Sequence, residues 1–241
     1  MTRKMLAIAG LALAASATSA LTPARAADDK VSIVVNATQV FGTIDPARIN
    51  DYTEYMAAVN LYDGLTTVAG DGSIIPQLAE SWTVSDDNLT YTFKLKDGAT
   101  FQDGSPVEAS DVVYTLKRLL AINEGPSYLF SKLIDPDKLK AVDSHTVEIG
   151  LTKVYAPFLT TTPLILVINE DAAKANSEEE WASDYVANHS IGAGPYMLED
   201  WNRGSQMVVA RYDDYHAGWD RGRPIDEIRF VITNDEATVK A

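Results

Sequence analysis

Between Thr90 and Leu120 the hydrophobic period of this chain changes, and that change confines it to a mixed α/β fold. Tyr91, Phe93 and Leu95 alternate with Thr92 and Lys94, giving a strand with one apolar and one polar face. Asp97-Gly98 and Asp103-Gly104 follow as turn dipeptides. From Ala109 the spacing is helical: Val112, Val113, Leu116 and Leu120 share a face. Asp111 lies in the first turn of that helix, and Lys117 and Arg118 lie near its end, where they suit the helix dipole.

The flanking segments repeat the mixture. Val31 to Val35 is a β-branched run that reads as a buried strand, and Asp45-Pro46 marks a turn. Asp51 to Glu54 reads as a helix start, with Asp51 as the cap and Glu54 completing a capping box. Tyr55, Met56, Val59 and Tyr62 then fall on one helical face, and Asp63-Gly64 ends it. Asp71-Gly72 joins two short apolar runs. Glu180 to Ala187 is expected to be a short helix, Ile191 to Pro195 a tight loop, and 196–199, 207–211 and 228–233 strands. Thr233 to Glu236 opens a fresh helix just before Ala241, so the sequence reads as the first part of a longer chain. It has no internal repeat and no low-complexity linker.

The N-terminus sets an expected compartment. Arg3 and Lys4 precede an uncharged run from Met5 to Ala20, and Ala24-Arg25-Ala26 offers small residues for cleavage. This pattern is that of a secretory signal peptide over residues 1–26. The other reading, a membrane anchor, is poorly served by a run so short and so rich in alanine. The chain contains no cysteine, so the expected exported protein has neither disulfide staples nor a lipid-attachment site. A Gram-negative periplasm is the expected location. The formal net charge is −14, and an acidic chain repels nucleic acid and anionic membrane surfaces, so nucleic acid is excluded as a partner.

A search for reactive chemistry returns little. His145, His189 and His216 lack ligand spacing, and no nucleophile elbow, phosphate loop or zinc-protease motif is present. No metal or other cofactor is expected. Asp86-Asp87, Asp213-Asp214 and Glu178 to Glu180 read as solvated faces or turns. Gly192-Ala193-Gly194 is too short for a dinucleotide loop and reads as a turn needing positive φ.

Eight segments in order carry a resemblance. Leu61-Tyr62-Asp63-Gly64-Leu65, Pro76 to Trp82, Tyr91 to Gly98, Phe101 to Val107, Ala109 to Tyr114, Ala156 to Leu159, Gly192 to Tyr196 and Ile225 to Phe230 are together similar to the family 5 bacterial solute-binding proteins. Two positions depart from the family pattern: Glu108 replaces a capping threonine and His216 a tryptophan. The resemblance implies an α/β, periplasmic-binding-protein-like fold of class II, two-lobed. This chain would supply most of the first lobe with its extra subdomain, and the second lobe would be absent. Residues 31–60 and about 185–241 would form the core lobe and about 61–184 the inserted subdomain. The implied role is non-enzymatic: capture of a di- or oligopeptide-like solute for the permease subunits of an ABC importer, as a monomer. The alternatives are an exported hydrolase of peptides or glycans with its catalytic residues in the missing half, and a binding protein serving a chemoreceptor.

The same resemblance implies where the ligand lies. Asn50, Asp51, Tyr52 and Thr53 occupy the segment that lines the family's cleft, Asn50 offering donors and acceptors and Tyr52 an aromatic wall. Asp51 and Tyr52 have a second reading, as a helix cap and a residue packed beside it. Tyr128, in Gly125 to Phe130, is the expected aromatic over the cleft, with simple packing as its other reading. The charged groups that clamp ligand termini in the family would belong to the second lobe.

Overall fold

The computed structural model describes residues 30–219 and 224–233. The expected signal peptide and the helix start at 234–236 lie outside the described residues. In chain order the elements are β1 (Ser32–Ala37), α1 (Tyr52–Leu61), β2 (Thr66–Val68), β3 (Ile74–Pro76), β4 (Ala79–Val84), β5 (Thr90–Leu95), α2 (Ala109–Ile122), β6 (Ile134–Asp143) and β7 (Thr146–Leu151). Then follow α3 (Phe158–Thr161), α4 (Glu170–Asn176), α5 (Ser183–Val186), β8 (Tyr196–Asn202), β9 (Gln206–Arg211) and β10 (Glu227–Ile232). None of the described helices is long and apolar enough to cross a membrane.

Two four-stranded sheets organise these elements. One has the order β1-β10-β9-β8, with β1 parallel to β10 and the other pairs antiparallel. The other is antiparallel, in the order β4-β5-β7-β6. The alternation in β5 does what period-two spacing requires: Tyr91, Phe93 and Leu95 are buried with Val147, Ile149 and Leu151 of β7 beneath Val112, Leu116 and Leu119 of α2. A second core joins Phe41, Leu61 and Tyr62 to Met207, Val209 and Phe230.

The junction between the cores is polar and tightly pinned. Gln102 Nε2 lies 3.1 Å from the carbonyls of Leu61 and Gly194 and 2.6 Å from that of Tyr196, while its backbone N–H donates to Gly192 O at 3.0 Å. Gly192 and Gly194 fit here because a Cβ on either would stand 2.2–2.4 Å from backbone atoms of Leu61. Neither has positive φ. Close approach, rather than the expected turn geometry, is what selects glycine at both positions.

Several local expectations are corrected. The buried face of α1 consists of Thr53, Glu54, Ala57, Ala58 and Leu61, not the face through Tyr55, Met56 and Val59. Small alanines let this helix press close to its neighbours, while Tyr52 and Val59 stay exposed and Met56 packs only partly against the second core. β1 is only partly covered, with Val34 68% exposed. Arg118 does not serve the helix dipole, because α2 continues to Ile122 and the guanidinium is buried against Asp45. The helix expected over 180–187 is reduced to α5, after Ala182 in a left-handed conformation.

Candidate ligand cleft

The segment before α1 is shaped by two buried carboxylates. Asp45 accepts the Ala47 N–H at 2.9 Å, closing the Asp45-Pro46 turn. Its two oxygens also receive the guanidinium of Arg118, each at 2.6 Å, and Arg118 Nε donates to Trp181 O. Such a fork-to-fork pair orients both partners as well as neutralising them. Glu54, one turn into α1, reaches back along the chain. Its Oε1 accepts from Gly42 and Thr43, and its Oε2 accepts from Asn50 N–H at 2.9 Å. Asp51 caps the helix by accepting from Glu54 N–H at 2.9 Å. The capping box is therefore offset by one residue, with the glutamate serving Asn50 instead of the cap itself.

The facing wall comes from the chain that leaves α2. Asn123 ends α2 in the left-handed region, φ 55°, with its N–H bonded to Leu119 O. A short 3₁₀ turn, Gly125–Leu129, follows. Gly125 has φ +47°, and a Cβ there would meet the carbonyls of Ala47 and Ile49 at 2.8–2.9 Å. Glycine at this point allows the turn to lie directly on the Asp45-to-Asn50 segment and projects Tyr128 beside α1.

Between these walls is a cleft of about 430 Å³. Asn50, Asp51, Tyr52 and Tyr55 form one side, Pro126 and Tyr128 the other, and Leu164 and Leu166 also line it. This volume is within the range of small-molecule sites, about 300–1,000 Å³. Tyr52 and Tyr128 are 75% and 78% exposed, a large uncovered area for two aromatic side chains in one concavity. Four of the five expected site residues thus converge. Thr53 does not join them: it is buried within the packed face of α1. The alternative reading of Asp51 as a cap also describes its geometry, so this residue both caps α1 and lines the cleft. Tyr55, Leu164 and Leu166 were missed, because Tyr55 was placed on the core face of α1 and the apolar run at 164–168 has no period that marks it as a wall.

Chemically the cleft is suited to holding rather than reacting. Asp51 is the one charged side chain among its lining residues, and no serine, histidine or lysine joins it. Burial raises the Tyr55 phenol above its ordinary value, keeping it a neutral donor. Among the described residues, no group of three or more histidine, aspartate or glutamate side chains is placed to hold a metal ion. His216 is engaged elsewhere: its Nε2 lies 2.6 Å from Asp63 Oδ2, to which Tyr215 also donates, while Gln77 donates to Asp63 Oδ1. The histidine in place of a tryptophan therefore belongs to a buried knot around Asp63.

Comparison with known proteins adds an independent line. A model of the bacterial extracellular solute-binding proteins, family 5 Middle, matches residues 73–241. The chain is 35% identical over 199 residues to a probable D,D-dipeptide-binding periplasmic protein, DdpA, of Escherichia coli K12, covering 80% of this chain and 38% of that one. It is 34% identical over 241 residues to the glutathione-binding protein GsiB of Salmonella typhimurium LT2, covering 98% and 44% respectively. The Escherichia coli murein tripeptide binding protein MppA superposes with a TM-score of 0.74 at 27% identity, over 88% of this chain and 44% of MppA. The chain thus spans less than half the length of these relatives. This chain has a mixed α/β fold that corresponds to part of a first lobe, superposing over 87–88% of its own length on 40–44% of these solved binding proteins. None of the three proteins is described as a hydrolase.

Proposed function

The chain belongs to the bacterial extracellular solute-binding proteins of family 5, and from that premise we propose that it is the substrate-binding component of an ABC importer that captures a di- or oligopeptide-like solute. The observation that carries this reading is the cleft between Tyr52 and Tyr128, concave, aromatic-walled and nearly uncharged. Aromatic walls with few fixed charges suit ligands recognised through their backbone, as a broad peptide carrier requires. The names of the relatives, which bind a dipeptide, glutathione and a murein tripeptide, support the same ligand class.

The finer features belong to the same proposal. Residues 1–26 are a cleaved signal peptide, the mature protein is periplasmic, monomeric and free of lipid, and it delivers its ligand to membrane permease subunits without turning it over. Residues 31–60 and about 185–241 form the core lobe, and about 61–184 the inserted subdomain. Asn50, Asp51, Tyr52 and Tyr128 touch the ligand, and Thr53 supports them from inside the helix.

Thermal unfolding of the protein purified from its host, scanned against peptides, opines, nickel chelates and sugars, tests the reading. A bound peptide at a hundred times its Kd stabilises by about 2.7 kcal/mol and raises Tm accordingly. Stabilisation by a sugar alone, or conversion of an added peptide to products, contradicts it.

A further inference from the structure

The ligand cleft does not end at Tyr55. A second chamber of about 130 Å³ adjoins it, and Tyr55 and Leu166 line both. Its other walls include Val59 of α1, Thr67 and Val68 of β2, and Pro163. Val59 is 38% exposed and Val68 53%, so two branched aliphatic side chains stand uncovered in a concave place. Of the polar side chains here, Gln77 is already committed, donating to Asp63 Oδ1 and accepting from Gly64 N–H, and Tyr62 and Thr67 complete the wall. No charged side chain lines the chamber.

We infer, on the basis of the peptide-binding reading above, that this chamber is a specificity subsite for an apolar side chain at one end of a peptide of about three residues or more. The length follows from α1. Tyr52 and Val59 are seven residues apart, about 10 Å along a helix rising 1.5 Å per residue. An extended peptide advances about 3.3 Å per residue, so three residues reach from the first chamber to the second. The chemistry follows from the walls. An aliphatic side chain covers Val59 and Val68 and gains from removal of that apolar surface from water. A carboxylate side chain would lose its hydration with no cation on either chamber to replace it, and with Asp51 repelling it from the other end.

The test is a calorimetric titration of the full-length protein from its host with dialanine, trialanine, and tripeptides carrying leucine or aspartate at either end of an alanine pair. One leucine tripeptide binds at least tenfold tighter than trialanine, a discrimination on the scale that apolar pockets achieve. Its aspartate counterpart binds more weakly than trialanine. Val59→Glu lowers the affinity for that leucine tripeptide at least tenfold more than it lowers the affinity for dialanine, which also reports that the variant is folded. Leucine tripeptides no tighter than trialanine, or a leucine advantage untouched by Val59→Glu, overturns the subsite while leaving peptide binding in place. Failure of every peptide to bind removes the proposed function itself, and the subsite with it.

Discussion

Asp45 and Glu54 do more for the cleft than any residue that lines it. Each places a carboxylate in the interior and spends its oxygens on backbone N–H groups or on Arg118, so the segment from Gly42 to Asp51 is set before any ligand arrives. Arg118 and Asp45 are essentially fully buried, and a charge left alone there has no solvent to replace its partner. Arg118→Leu is therefore expected to cost about 3–5 kcal/mol in chemical denaturation. Arg118→Lys keeps the charge but not the fork, and falls between. A loss below about 1 kcal/mol for Arg118→Leu, the scale of an exposed pair, would contradict the role given to this contact. Legibility at this scale depended on distance in sequence. The Asp51 cap lies three residues from the N–H it serves and could be read from spacing, whereas Asp45 and Arg118 stand 73 positions apart and nothing in either segment names the other.

At the scale of elements, β5 and α2 were legible because period and burial agree. α1 was not, because Tyr52, Tyr55 and Val59 line the open concavities while small alanines and Leu61 pack its inner side; a cleft-lining helix reverses the usual signal. The tie between α2 and α4 is likewise invisible in sequence. Asp111 accepts from Glu108 N–H at 2.8 Å and from Glu170 N–H at 2.9 Å, so one carboxylate supplies the reciprocal half of a capping box for α2 and also ties down the start of α4. Burial pushes its carboxyl up to about 6, against the pull of those two donors. A carboxyl raised in the folded state binds its proton more tightly there than in the unfolded chain. Its stabilising contribution is therefore full at pH values below the ordinary carboxyl range and is lost as pH climbs through about 6. Relative to Asp111→Asn, the wild type is expected to lose about 2–3 kcal/mol between pH 4 and pH 7. Paired unfolding curves across that range check it, and a constant difference between the two proteins would contradict it.

At the scale of the whole molecule, the first-lobe fold was legible from eight ordered motifs and the cleft from two short segments within them. The second chamber was not, since Val59 of α1, Val68 of β2 and Leu166 of the loop before α4 share no common pattern. The described cleft is bounded by aromatic rings that project from one body, with Tyr52 and Tyr128 largely uncovered. In a two-lobed binding protein, hinge closure supplies the cover. Native followed by denaturing mass spectrometry of the protein taken from its host's periplasm tests peptide capture at this cleft most directly. The predicted result is a peptide-range mass held in the native state and released on denaturation, with the Tyr52→Ala/Tyr128→Ala protein retaining at most about a tenth as much, a loss of roughly 1.4 kcal/mol or more in binding. An equal load on the double variant, or a released mass that is not a peptide, would contradict it.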